Sequence, residues 1–459
     1  MTSPANQMFY HFFLRVLMLA APIGFSRIVY LLSSFIAIMM LGTLGKLQLA
    51  AAAIAISTFS VVLVFSSSIF QALSILIRRT SKNHSPPAEN AALFQASINL
   101  ALGIGFIAAL FLWHADRLLI LTRQDSDIIH TACLYFKFSA LAIIPSLFIS
   151  VINQFTIGLG RARSLIYIEL FSFFPKIVLY YGFIHGYFGL SPLGLAGVAL
   201  TELLIKVLVL IILIFRITQG IFYKPYLPYL NIKFWQLNQK LMKSLLSIGL
   251  PIALQSSGEI TAMSAAGYLM GYFGPTALAA LSITNQYMIP VMMLAYGLSQ
   301  SLTLLMSETN KWDYPHSIST NYLISALCIM AIYTTPFVIL FLKYPLILSA
   351  LIIPANLQDP LLQTLCTYFF SICALFIVID GIRNLIIGAL WAISDSHKPV
   401  MASLSMIWFI ALPLSYIFGF TLNGGAVGLR LGFLAGILLS LLLLGYKLFH
   451  LLPMPVNRA

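Results

Sequence analysis

Two short stretches decide how this chain folds: GTLGKLQLAA, residues 42–51, and GYFGPTALAA, residues 271–280. Both read G-x-x-G-x-x-x-L-A-A, and they lie 229 residues apart. The same offset carries Pro22 and Ile23 onto Pro251 and Ile252, and Ile54 onto Ile283. An offset of 230 carries Ile157 and Gly158 onto Ile387 and Gly388. FFPKIVLYYGF (173–183) is similar to ALPLSYIFGF (411–420). One or two matches arise by chance in so apolar a chain, but a run of them at nearly one offset indicates a duplicated unit.

Composition names the solvent. The 459 residues are 60% hydrophobic and 8% charged, against about 25% charged in an ordinary soluble domain. Such a chain cannot cover its surface with polar groups, so it lies in lipid. Apolar runs alternate with short polar connectors, giving twelve spans at 12–42, 48–77, 92–113, 128–158, 164–188, 192–218, 241–272, 276–307, 319–342, 360–392, 398–421 and 425–452. A spanning helix needs about 20 apolar residues, whereas a barrel strand needs about 10. The expected fold is therefore an all-α integral membrane protein with twelve transmembrane helices. The repeat divides them into two six-helix lobes, 1–216 and 241–459, joined by a linker at 217–240 that contains Pro225 and Pro228. Each lobe has an even number of spans, so both enter from the same side, related by a pseudo-twofold axis along the membrane normal around a central cavity.

Charge sets the orientation. One set of connectors carries Arg78, Arg79, Lys82, Arg161, Arg163, Arg216, Lys224, Lys233, Lys240, Lys243, Lys311 and Lys398; the other carries only Lys46, Arg117, Arg123 and Lys343. The basic side faces the cytoplasm, which places both termini there and the chain in the cell's inner (plasma) membrane. Most of the basic residues behind the net charge of +13 lie in these connectors, and they form no stripe of the kind that binds nucleic acid. Cys133, Cys328, Cys366 and Cys373 sit in apolar stretches without a CxxC partner, so inert buried thiols are expected. The first residues carry no charge and precede no A-x-A site, so no signal peptide is expected. HExxH, GxSxG and phosphate-cradling loops are missing, which argues against an enzyme and implies no cofactor.

The duplicated motif, GLGRAR at 158–163 and LPIALQSSGE at 250–259 together resemble the multidrug and toxic compound extrusion (MATE) family over essentially the whole chain. The resemblance implies a secondary exporter with two six-helix lobes in a V. Such proteins expel organic cations and other drugs in exchange for H⁺ or Na⁺. A monomer in membrane lipid is expected.

Four acids fall inside spans: Glu169, Glu202, Glu259 and Asp380. A charged group at the bilayer centre costs about 2.5–3.5 kcal/mol on insertion scales, so each needs a partner, a proton or a function. Lys206 stands four residues after Glu202, which suggests an intrahelical pair. Glu169 reads as interfacial. Glu259 has Gln255, Ser256, Ala262 and Met263 as helical neighbours and no basic residue after Lys243 in its span. It is expected to lack a cationic neighbour and to exchange a proton or Na⁺, the alternative being a structural acid reached by Arg27 from another helix. The resemblance places an essential acid at Glu259 and a second at Asp380, where Arg383 at i+3 offers a competing structural pair. A Na⁺ site, if any, would be at these two acids. Many relatives carry an acid in the first span where this chain has Ala37, so the first-lobe coupling site is missing.

Expected walls of the cavity are Tyr30, Gln255, Ser256, Met263, Asn285, Tyr287, Met292, Met293, Tyr296, Arg383 and Asn384. Aromatic rings and methionines suit flat organic cations. Pro145, Pro175, Pro290 and Pro413 are candidates for bends. Two rival transporters remain. A lipid-linked precursor flippase of the wider superfamily would want basic residues inside, and Arg27, Lys137, Lys176 and Arg430 lie in spans. A major-facilitator exporter should place a basic loop motif after span two, where this chain has IRRTSKNHSPPAEN.

Overall fold

The structure, a computed structural model, describes residues 4–44, 46–81, 87–121, 126–187, 192–220, 223–229, 238–307, 317–352, 360–393 and 397–451. Every regular element among them is helical: α1 Pro4–Gly42, α2 Lys46–Ser68, α3 Gln71–Ser81, α4 Pro87–Trp113, α5 Ala115–Leu121, α6 Ser126–Gly158, α7 Arg163–His185 and α8 Leu195–Gln219 in the first half. The second half has α9 Gln239–Gly271, α10 Pro275–Ser307, α11 Ser317–Lys343, α12 Pro345–Ile352, α13 Pro360–Ile393, α14 His397–Met406, α15 Leu412–Tyr416 and α16 Gly425–Leu451.

Eleven of these stretches are long and apolar enough to cross a membrane. The expected seventh span is the exception. It is α9, a helix of 33 residues, but Lys243, Gln255, Ser256, Ser257 and Glu259 dilute its apolar character. The second span is broken at residues 69–70, dividing α2 from α3. Two short helices missed by the sequence reading, α5 and α12, occupy connectors. Proline is tolerated inside α1 (Pro22), α6 (Pro145), α7 (Pro175), α9 (Pro251), α10 (Pro290) and α11 (Pro336). At Pro413 the helix departs from α geometry. Its ring removes one N–H and crowds a carbonyl in the preceding turn, and π-helical turns at Ile407–Ala411 and Ile417–Thr421 flank α15.

The repeat is visible in the backbone. At the end of α1 the amides of Thr43 and Leu44 bond to the carbonyls of Met40 and Leu41. At the end of α9 those of Tyr272 and Phe273 bond to Leu269 and Met270. Gly194 and Gly425, just before α8 and at the start of α16, share positive φ angles of 52° and 59°, a conformation that favours glycine. Gly158 lies against Ser74 of α3, where an added Cβ would come within 3.1 Å of the backbone. Gly388 lies likewise against Ser299 of α10, at 2.6 Å. Lipid tails are as apolar as the side chains, so helices in a bilayer associate through close packing and hydrogen bonds. Both are present at α10 and α13: Ser299 Oγ donates to the Asn384 carbonyl at 2.5 Å and Thr303 Oγ1 to that of Gly388 at 2.9 Å. A run of close approaches is at α16, where Gly428, Gly432 and Gly436 follow one another every fourth residue. A Cβ there would overlap Phe418, Leu414 or Ala411.

The chain packs into two compact units, residues 28–257 and residues 1–27 with 258–459. The sequence lobes and these units differ by one symmetrical exchange: the first part of α1 belongs to the second unit and the first part of α9 to the first. The reason is local packing. Gly24 on α1 meets Leu294 and Gly297 on α10, while Gly249 on α9 meets the backbone of Ile69 between α2 and α3. In the expected linker, the described residues 223–229 rest on the first unit. The Tyr223 ring stacks on Phe155 of α6 with centroids 6.4 Å apart, and Gln95 of α4 donates to the Tyr229 carbonyl at 2.9 Å. Partial burial there pushes the Tyr226 phenol above its ordinary pKa.

Candidate functional site

Two helices of the second unit, α9 and α13, bring charge together. Asp380, Arg383 and Asn384 lie on successive turns of α13, spaced i, i+3 and i+4, which puts them on one face. Arg383 grips Asp380 Oδ1 with Nε at 2.8 Å and Nη2 at 2.7 Å. Its Nη1 reaches α9 and meets Glu259 Oε1 at 2.8 Å. The same nitrogen donates to Ser403 Oγ on α14 at 3.2 Å, and Ser403 is 3.1 Å from Ser440 Oγ on α16. Asn384 Nδ2 donates to Asp380 Oδ2 at 2.8 Å. The side chains of Arg383 and Asp380 are each 3% exposed, whereas Glu259 is 20% exposed. One guanidinium thus serves two carboxylates, and only Glu259 retains an accessible edge.

This corrects the expectation that Glu259 lacks a cationic neighbour. The partner is Arg383 rather than Arg27, and it comes from 124 residues away, beyond the reach of spacing along one helix. Arg27 instead lies 4.3 Å from the Tyr296 ring centroid and donates to Gln300 Oε1 at 3.4 Å. The intrahelical pair of Asp380 with Arg383 does form. A second correction concerns Glu202 on α8. Its close ion pair is with Lys176 of α7 at 2.6 Å, and Tyr180 of α7 donates a further bond at 2.6 Å; Lys206 supports that charge from a greater distance. Neighbouring α7 sets this pair, and sequence spacing within α8 could not show it. Glu169 is half-buried on α7.

The other expected wall residues divide between the two units. Met263, Met292, Met293 and Tyr296 are half-buried in the second. Tyr287 there donates to the Leu348 carbonyl at 2.8 Å. Gln255, buried, and Ser256, half-buried, belong to the first, and the Tyr30 side chain lies outside the described residues. Asn285 takes part in a centre that the sequence reading did not assemble. Arg430 of α16 donates to Asn285 Oδ1 at 3.3 Å, Thr284 Oγ1 at 3.1 Å and Cys373 Sγ at 3.0 Å, with its carbon 5.1 Å from the Phe369 ring centroid. An arginine inside a span was the available signal; its partners are spread over 146 residues. Ala37 is 2% exposed and packs into the apolar core of the first unit. Among the described residues no three His, Cys, Asp or Glu side chains gather as metal ligands.

Comparison with known proteins fits this duplicated arrangement. The MatE family profile matches the chain twice, over residues 22–181 and 250–417, which is well over half of it. The chain belongs to the MatE family. It is a MATE transporter, a multi-pass membrane protein and not an enzyme. A probable multidrug resistance protein NorM of Agrobacterium fabrum is 25% identical, aligning 92% of this MATE chain with 90% of its own length. The protein of the same description from Pseudomonas syringae pv. tomato is 26% identical over 94% and 93%. Among solved structures, the eukaryotic MATE transporter AtDTX14 superposes with a TM-score of 0.81 at 17% identity, covering 96% of both chains. The bent form of the Vibrio cholerae transporter VcmN gives 0.79 at 14%, covering 97% and 98%. These last two likenesses concern the fold.

Proposed function

We propose that the chain is a secondary active multidrug exporter of the inner membrane, exchanging drugs for protons, with both termini cytoplasmic. The observation that carries this reading is the charge count at Arg383. Two carboxylates share one permanent guanidinium, so with both acids ionised Arg383 is one positive charge short of neutralising them. In a low-dielectric setting that shortage attracts one monovalent cation. A proton on Glu259 fills it, and so does a cationic substrate held nearby; either one lowers the attraction for the other. Antiport follows from that exclusion. Glu259 takes the proton because it keeps an accessible edge, while Asp380 is held by Arg383 and Asn384.

Both carboxylate oxygens of Asp380 already accept strong donors, and a cation there would face the guanidinium. This favours H⁺ over Na⁺. Rocking of the two lobes would then alternate access, with Met263, Met292 and Tyr296 of the second unit as drug contacts. Exchange of one proton for one monovalent cation moves no net charge, so the pH gradient drives it, at about 1.4 kcal/mol per pH unit. The relatives named as multidrug resistance proteins support small-molecule drugs as substrates. The lipid-precursor alternative loses support, since Lys176 is engaged by Glu202.

The test is drug uptake into reconstituted inside-out vesicles under an imposed H⁺ gradient and then an imposed Na⁺ gradient. Uptake driven by H⁺ and lost in Glu259→Gln is expected. Uptake driven only by Na⁺ would retain the exporter and replace the ion.

A further inference from the structure

A second charged centre lies two turns along the same helix face. Cys373 and Asp380 are seven residues apart on α13, which places them on one face about 10 Å from each other. Cys373 accepts a bond from Arg430, whose other polar partners are Thr284 and Asn285. All three partners are neutral. Among the described residues no carboxylate pairs with Arg430, and its buried Nε has no hydrogen-bond partner. A guanidinium stays charged at any physiological pH. Of the other in-span charges of this unit, Glu259, Asp380 and Arg383 engage one another, and Arg27 rests on Gln300 and the Tyr296 ring. Arg430 is held in place by neutral acceptors and a ring face, which fix its position without neutralising it. Arg430 and Asn285 are half-buried and not sealed.

We propose that Arg430 recognises an oxyanion carried by the transported molecule, so that the preferred substrates are zwitterionic organic acids. The cationic end of such a substrate competes for the Glu259 centre, and its carboxylate pairs with Arg430 about two helical turns away. This rests on the exporter reading for the cationic end, whereas the anionic end stands on Arg430 alone. Planar bidentate geometry makes guanidinium well suited to a carboxylate, and lysine less so.

The probes are tetramethylrhodamine, which carries a carboxylate, and its methyl ester, which does not. Binding to purified full-length protein in phosphatidylcholine nanodiscs is read by fluorescence anisotropy. Arg430→Gln should weaken the acid about tenfold or more and leave the ester within about twofold. Arg430→Lys should recover part of the loss, and it serves as the folded control if the glutamine variant is unstable. Equal loss for both dyes, or loss for neither, would overturn the proposal. Repeating the titration in phosphatidylglycerol nanodiscs tests whether a lipid phosphate is the true occupant. If anionic lipid abolishes the acid-to-ester difference in the wild type, Arg430 is a lipid site and the substrate assignment fails. Glu259→Gln separates the two readings: it should disturb the binding of both dyes, so a result confined to Arg430 leaves the coupling centre untouched.

Discussion

The two halves of this transporter share their packing and differ in their charge. Glycines at equivalent positions seat equivalent helices: Gly158 against α3 and Gly388 against α10, Gly194 and Gly425 at the last turn into each half's final helix. The charged positions do not correspond. At an offset of 229 Glu259 falls on Tyr30, and at 230 Asp380, Arg383 and Asn384 fall on Ser150, Asn153 and Gln154. The first half keeps its own ion pair elsewhere, Lys176 with Glu202, at side-chain exposures of 5% and 18%. There one acid faces two bases, Lys176 in close contact and Lys206 beyond it. The second half sets two acids against one base. An acid paired with a base in a bilayer holds helices together, whereas two acids sharing one base is the arrangement the proposed exchange needs.

The largest effects should come from attacking what the halves share. Gly436→Leu and Gly388→Leu place side chains into backbone of α14–α15 and of α10; neither should yield monodisperse protein on size exclusion, and Gly158→Leu should fail in the same way. Gly103, which has open space around an added Cβ, should accept alanine without loss. Next come the changes that separate the halves. Glu259→Gln should cut drug export about 100-fold while leaving thermal stability within about 1 kcal/mol, measured by efflux and by a melting curve on the same preparation. Glu202→Gln should do the reverse. It strands a buried lysine, which costs about 3–5 kcal/mol and lowers the melting temperature, yet transport per folded molecule should stay within about twofold.

The division between legible and hidden features follows the same line. The repeat, the spans and the small residues were readable because they depend on local sequence and on period. Asp380 with Arg383 was readable because three residues along a helix define one face. The contact of Arg383 with Glu259 was not, because it joins α9 to α13. The exchange of Lys206 for Lys176 as the close partner of Glu202 and the assembly of Arg430 with Thr284, Asn285 and Cys373 were hidden for the same reason. The π-helical turns beside Pro413 were half legible: proline announced a departure from α geometry and left its form open.

The smallest effect sharpens the comparison at matched positions. Asn153 stands where the second half has Arg383, and its Oδ1 is buried without a partner among the described residues. Replacing an unsatisfied amide by an apolar group of similar size is near neutral, so Asn153→Leu should shift stability by no more than about 1 kcal/mol. Asn384→Leu removes a donor to buried Asp380 and should cost about 1–3 kcal/mol, read by the same melting curves.

The most direct measurement is proton release on substrate binding. Purified protein in weakly buffered solution, with a pH-sensitive dye, is mixed with a cationic drug. If Glu259 is the exchangeable seat beside Arg383, drug binding should expel up to about one proton per molecule, with reciprocal weakening of drug affinity as pH falls. The Glu259→Gln variant should release none. Release that is undiminished in the variant, or saturable drug binding by the wild type with no proton release at any pH between 5 and 8, would contradict the account.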